Sequence, residues 1–515
     1  MKKNIIDIKY VALIAILIGF TSCNDIEDVL EDNNALVEVE ILPELNSGSA
    51  DFSTYVSLGN SLTSGFTDNA LFIAAQENSL PNILAQKFAL AGGGDFSQPL
   101  MSDNFGGLAV GGNRITDPRL VFGGAGPVPL ESLIGPVTVT TDLALNNPTG
   151  PFNNMGVPGA KAAHLLYDGY GSLANLGVSA NPYFIRMASS PTATVLGDAM
   201  AQSPTFFSLW IGNNDVLGYA LSGGDATTSS ITPSDGPPGV GFDQTYGALI
   251  ATLTSGGAQG IVANIPYVTT IPHFTTVPHN PIPLDEATAG AVNQAYAAYN
   301  GGIQAALGAL AGTGLFTQEE ADLRMITFSA GEGNAVVIED ESLTDLGAIN
   351  PAFAGLPKIR QATANDLLVL PSSNFIGTEA IPGNPLTVNG VAVPLADKWV
   401  LTPEEQEEIK VATDAFNATI QATATSAGLA FVDANMLMQQ LDAGGFSDGD
   451  YTLTSSLVTG GAFSLDGVHP TARGYALIAN EFMKAIDTAY GSNFEVSGNL
   501  VNIGNYPTNY SPLLQ

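Results

Sequence analysis

Cysteine is almost absent from this chain: Cys23 is the only one in 515 residues. No disulfide can form within the chain, and no cysteine-ligated metal site can be built. Basic residues are scarce too, 15 against 49 acidic ones, for a formal net charge of −34. A surface this acidic repels nucleic acid and anionic lipid headgroups, so no nucleic-acid partner is expected. The acidity reads as solubility in a salty or extracellular setting. Calcium binding is the alternative, with Asp448-Gly449-Asp450 as its one local hint, and that triplet reads better as an acidic turn. No apolar run is long enough for a membrane span, which needs about twenty residues. No internal repeat of fixed period is visible.

What is present begins with a targeting segment. Lys2, Lys3 and Lys9 flank an apolar run from Val11 to Phe20, of the length and polarity of a secretory signal. The run ends at Phe20-Thr21-Ser22-Cys23. Small residues before a cysteine resemble a bacterial lipoprotein signal, which implies that Cys23 becomes the lipidated first residue. Lipid chains contribute about 0.8 kcal/mol per buried CH₂, so several together anchor a protein stably. The following Asn24 to Asp32 is acidic. It reads as a solvated tether, and it also resembles the export signal of Bacteroidetes surface lipoproteins. The expected organisation is a signal peptide over 1–22, an acidic tether over 23–48, and one catalytic domain over 49–515. The resemblance implies an outer-membrane lipoprotein facing the cell surface, with the periplasmic face as the alternative.

Short apolar runs bounded by turns suit parallel strands buried on both faces. Candidates are Thr54–Leu58, Phe206–Ile211, Gly260–Ile265 and Leu429–Val432. Helical patterns fall between them. One runs from Pro403 to Ala427, with Thr402 as N-cap and Glu405 completing a capping box. A second starts near Asp285 and carries Val292, Ala295, Tyr296, Tyr299 and Ile303 at helical spacing. A third follows Pro470 and buries Tyr475, Leu477, Ile478, Phe482 and Ile486. Strands alternating with helices predict a doubly wound α/β sheet. Gly- and Pro-rich stretches such as Ala91 to Pro151 and Gly223 to Gly241 read as loops inserted on that scaffold.

Four segments carry the parts of an acyl-transfer site. Gly59-Asn60-Ser61-Leu62 follows the first strand, so Ser61 opens a helix at the strand's carboxyl end, where α/β sheets bind ligands. The alternative is an ordinary serine in a strand-to-helix turn. Asn154-Met155-Gly156-Val157-Pro158-Gly159 is a second turn-forming segment. Gly212-Asn213-Asn214-Asp215 follows the Phe206 strand, and Asn214 can offer a side-chain N–H to developing negative charge. A helix cap is its plainer role, Asp215 reads as a brace of the turn, and Trp210 as core or as a cleft wall. Asp466-Gly467-Val468-His469-Pro470 sets a carboxylate three residues before an imidazole, so Asp466 can accept from Nδ1 and leave Nε2 free as a base. Asp-x-x-His is also half of a metal site, but no other histidine has a partner spacing, so no metal is expected. His164 falls in an expected helix and His273 and His279 in a Pro-rich loop, and all three read as structural or surface residues.

These segments resemble the GDSL (also SGNH) hydrolase family of esterases and lipases. Its first block matches Gly59-Asn60-Ser61-Leu62, with Asn60 where the family has aspartate, and implies that Ser61 is the nucleophile. Its second block matches Asn154 to Gly159 and implies a backbone N–H donor at Gly159. The third block matches Gly212 to Asp215, with Asn214 as side-chain donor, and the fifth matches Asp466 to Pro470. Ile265-Pro266 resembles the fourth more loosely. The resemblance implies a flavodoxin-like three-layer α/β/α sandwich with a parallel sheet and a Ser61-His469-Asp466 triad. It further implies an oxyanion hole of Ser61, Gly159 and Asn214, and no cofactor. The expected partners are an ester substrate, acylated glycan or lipid, and a membrane reached through a lipid on Cys23. The rival expectation is a surface lipoprotein that binds glycan or protein on the same scaffold without turnover. Leu71, Phe72, Ile73 and Leu80 read either as an acyl-binding lid or as core.

Overall fold

The structure, a computed structural model, describes residues 42–384 and 386–515. The expected signal segment, Cys23 and the first part of the expected tether lie outside the described residues. Contact density separates a small unit, residues 42–44 with Val496–Gly498, from a main unit of Leu45–Glu495 with Asn499–Gln515. The sheet, its helices and the candidate site all belong to the main unit.

Five short strands form one parallel sheet: β1 (Tyr55–Gly59), β2 (Asn154–Gly156), β3 (Phe206–Trp210), β4 (Gln259–Ala263) and β5 (Ala430–Val432). They stand in the order β5-β4-β3-β1-β2, every neighbouring pair parallel. Read from the other edge this is 2-1-3-4-5, the flavodoxin-like order. All residues of β1 and β3 are buried, as a sheet covered on both faces requires. Even the polar ones are satisfied: Ser208 Oγ donates to Ser57 Oγ at 2.8 Å and lies 2.7 Å from Tyr55 Oη. The sequence-predicted strands all form, with ends moved by one or two residues. The ladder of β4 stops early because the Ile265 N–H donates to the Asn417 side chain instead, at 2.7 Å. Asn154-Met155-Gly156, expected as a turn, is the edge strand β2.

Among the described helices are α1 (Ser61–Ser64), α2 (Leu80–Leu90), α3 (Asn213–Leu221), α4 (Phe242–Leu253), α5 (Glu286–Ala309), α6 (Pro403–Ala427), α7 (Ala434–Ala443) and α8 (Ala472–Tyr490). α8 packs on β5, β4 and α2, while α6 packs on α3, α4, β4 and β5. The sheet is thereby sandwiched in an α/β/α arrangement. α6 has the expected bounds, and its Thr402–Glu405 capping box is reciprocated. α5 has Asp285 as N-cap and buries Val292, Tyr296 and Ile303, but Ala295 faces outward. α8 begins two residues after Pro470, because Thr471 is its N-cap and accepts from the Gly474 N–H at 3.0 Å. Among the described residues, no helix is long and apolar enough to cross a membrane.

The long insertions are more than loops. The chain between β4 and β5 builds its own apolar cluster, including Val277, Tyr296, Phe328, Val336 and Leu395. There Arg360 is buried between Asp340 and Asp366, 2.6 Å from each. Within Ala91 to Pro151, two small antiparallel pairs form. Leu71, Phe72 and Leu80 are core residues. Asp448-Gly449-Asp450 is the turn of the hairpin Phe446–Asp448/Tyr451–Leu453. Part of the expected tether is docked: the Asn46 N–H donates to Asn493 Oδ1 at 2.8 Å, and the Ser49 N–H just beyond it donates to the Tyr490 carbonyl at 2.8 Å.

Candidate active site

The strand order reverses direction between β1 and β3, so the loops leaving their carboxyl ends diverge and open a crevice. Ser61 leaves β1 and Asn214 leaves β3 at that crevice. Together with His469 they line a narrow cleft of about 100 Å³. Its other walls are mainly apolar: Leu62, Trp210, Leu217, Val268, Met438 and Ile478. Trp210 is thus both core and cleft wall, and Pro266 of the loosely matched fourth block also lines the cleft.

Ser61 is the first residue of α1. Asn60, at the N-cap, accepts from the Leu62 N–H at 3.0 Å, the bond a capping carboxylate would make. Its amide also donates to Asn213 Oδ1 at 3.5 Å, which a carboxylate could not do. Asn60 therefore links the loops after β1 and β3. Gly156 of β2 lies so close to α1 that a Cβ there would sit 2.4 Å from the Ser64 nitrogen.

The loops after β2 and β3 are clasped together. Asn214 Nδ2 donates to the Ala160 carbonyl at 2.9 Å, which occupies one of its two amide hydrogens. Asp215, fully buried, accepts from the Ala162 N–H at 2.9 Å. Asp215 therefore braces the neighbouring loop rather than its own turn. Burial pushes its carboxyl up to about 6, with the Ala162 N–H acting in the opposite sense. Gly159, with φ of +81°, sits in the left-handed region. It is not among the residues lining the cleft, but it directly precedes Ala160, the anchor of the Asn214 amide.

His469 Nδ1 stands 2.8 Å from Asp466 Oδ2. The same Oδ2 accepts from the Asn69 N–H at 2.9 Å. Oδ1 takes three more bonds, from Ser464 Oγ at 3.0 Å, the Val468 N–H at 2.8 Å and the His469 N–H at 2.9 Å. Burial alone would raise this carboxyl, but the His469 charge and these donors outweigh it and hold it well below the usual carboxylate range. Asp466 therefore stays ionised behind the imidazole. The Phe66 ring lies 4.7 Å from that of His469.

Sequence spacing could not show how residues some 400 apart are registered. The stretch after α1 does it: Thr67 Oγ1 donates to the Pro470 carbonyl, the Asp68 N–H to Ser464 Oγ, both at 3.0 Å, and Asp68 Oδ1 accepts from the Leu465 N–H at 3.1 Å. Thr67, Asp68, Asn69 and Ser464 escape motif reading because each acts through a backbone bond, which leaves no residue-type pattern. His273, expected in a loop, lies on a short helix, is buried, and its N–H donates to the Gly467 carbonyl at 2.9 Å. It supports the Asp466–His469 turn from behind. His164 Nδ1 accepts from the Lys161 N–H at 3.1 Å. Neither these two nor His279 line the cleft.

No family model matches the chain, and no curated protein does. Among solved structures, an extracellular lipase from Streptomyces rimosus is similar over 84% of this chain and 98% of its own, at 12% identity and a TM-score of 0.26. So low a score carries no argument about function, which rests on the site itself.

Proposed function

We propose that the chain is a serine-dependent carboxylic ester hydrolase of the GDSL/SGNH type. The observation that carries the reading is the His469 imidazole, held by an ionised Asp466 at 2.8 Å, on the wall of a cleft that Ser61 and Asn214 share. Asp466 fixes the tautomer with the proton on Nδ1, leaving Nε2 as the base. Ser61 Oγ attacks the ester carbonyl as His469 takes its proton. The oxyanion is received by the Ser61 backbone N–H and the remaining amide hydrogen of Asn214, both on the cleft wall, with the Gly159 N–H as the third donor that the family resemblance implies. The imidazolium then protonates the departing alcohol, leaving an acyl-serine. Water, deprotonated by His469, attacks this ester and frees the acid and Ser61.

The apolar walls favour an acyl chain of several carbons over acetate, because each CH₂ buried there contributes about 0.8 kcal/mol. A lipid-like ester is therefore the preferred substrate over an acetylated glycan. Attachment to the outer membrane through Cys23 belongs to the same reading, supported by the lysine-flanked apolar run that precedes it. The test is hydrolysis of p-nitrophenyl esters from acetate to palmitate by wild type and Ser61→Ala. Turnover that depends on Ser61 and rises from acetate to longer chains is expected. Full activity in Ser61→Ala overturns the catalytic assignment, and a peak at acetate overturns the acyl preference. A folded protein inert to every ester would favour the binding lipoprotein. Incorporation of labelled fatty acid that is lost in Cys23→Ala tests the anchor.

A further inference from the structure

Away from the cleft, three carboxylates converge where the insertion meets α6. Glu341 follows the strand Val337–Glu339, Asp397 opens the short helix Asp397–Trp399, and Glu405 is the third residue of α6. One oxygen from each lies within 4.8 Å of those from the other two. Glu405 is only 5% exposed. Its Oε2 accepts from the Thr402 N–H at 2.6 Å and from Thr402 Oγ1 at 2.8 Å. Its Oε1 is buried without any donor. That orphan oxygen faces Gly224, which with Asp225, Glu341 and Asp397 lines a cavity of about 550 Å³. Lys358, the ammonium on the same cavity, donates to the Glu341 backbone carbonyl. Among the described residues it makes no ion pair with the three carboxylates.

A buried carboxylate oxygen with no partner is costly, and two like charges beside it add repulsion. The arrangement needs positive charge at its centre. Protons can relieve pairs of carboxyls, but three carboxylate oxygens gathered this closely match the donor set of a hard cation. Three protein carboxylates suit calcium, which takes six to eight oxygens in flexible geometry, whereas magnesium is usually held by one or two carboxylates and keeps several waters.

We propose that Glu341, Asp397 and Glu405 hold a calcium ion that ties the insertion to the start of α6. The remaining coordination positions open onto the cavity and take water. The ion serves the fold rather than the ester chemistry, since none of its three ligands lines the catalytic cleft.

The test is isothermal calorimetry and thermal unfolding of the chelator-stripped protein with calcium chloride, beside Glu405→Gln and Glu341→Gln. One calcium per chain and a midpoint raised by several degrees are expected. Either variant should weaken binding at least tenfold and abolish the thermal shift. Glu341 is solvent-exposed, so Glu341→Gln remains informative if Glu405→Gln fails to fold. No heat and no shift at millimolar calcium overturns the proposal. So does a wild-type response that survives in Glu341→Gln, which would place the ion elsewhere. An equal shift with magnesium chloride overturns calcium as the occupant.

Discussion

In the parallel sheet, Val56, Leu58, Phe206, Phe207 and Leu209 are fully buried, and the few polar side chains among them satisfy one another. In the insertion between β4 and β5, buried charge takes a larger part. Arg360 is clamped between two aspartates. Arg324, fully buried, donates to the carbonyls of Thr344 at 2.9 Å and Pro357 at 2.8 Å. Short strands in two-stranded pairs bury too little apolar area to hold together unaided, so specific polar cross-links fix their arrangement. The sheet instead gathers polar groups where its strands end, at the proposed catalytic site. One region uses hydrogen bonds for architecture, the other for chemistry, and substitutions should separate the two.

The largest effect is expected from His469→Ala, which removes the proposed base. kcat should fall on the order of 10⁶-fold, with little change in unfolding by urea. A loss of stability with activity retained would reverse the contrast. Arg360→Met should do the opposite, because it strands two buried carboxylates. Breaking such a pair typically costs about 3–5 kcal/mol, read by urea denaturation, with amide exchange in the insertion rising before that in β1 and β3. Residual folded protein should keep its kcat.

Asn214→Ala is expected to lower kcat by about 10²–10³, or about 2.7–4 kcal/mol of transition-state stabilisation, with KM little changed. A rise in KM alone would make Asn214 a ground-state contact. Asp68→Asn should give the smallest effect, and one visible chiefly in pH dependence. Burial pushes the Asp68 carboxyl up to about 7, and the Asp466 charge adds to it against the Leu465 N–H and Arg119. Its folded pKa exceeds the unfolded one, about 3.9, so the native state binds the extra proton between them. The Asp68 contribution to stability therefore declines as pH rises from about 4 to about 7. The amide in Asp68→Asn carries no such titration, so the variant should flatten that part of the curve and gain relative stability at pH 8. A parallel curve for both proteins would remove Asp68 from this role.

Much of this was legible from local pattern. Apolar runs with turn residues at both ends marked β1, β3, β4 and β5, and Thr402-Pro403 with Glu405 marked the start of α6 to the residue. β2 was not legible because three residues, Asn154, Met155 and Gly156, carry no periodicity, and their strand state comes from pairing with Ser57, Leu58 and Gly59. The helix after Pro470 was displaced because the Thr471 hydroxyl, not the proline, caps it. His273 was misread as a loop residue, since nothing near it in sequence signals the Gly467 carbonyl that it meets.

The sequence by itself determined which groups are available: a serine after a buried strand, an asparagine after another, and an Asp-x-x-His turn whose internal geometry follows from its three-residue spacing. It also determined the alternation of elements, since periodicity is a property of neighbours along the chain. Only the tertiary structure decided that β1 and β3 flank the reversal of strand order, so that Ser61, Asn214 and His469 share one cleft. It alone brought Glu341, Asp397 and Glu405 together. Such meetings depend on loop closures over tens to hundreds of residues, which packing selects and no local pattern records.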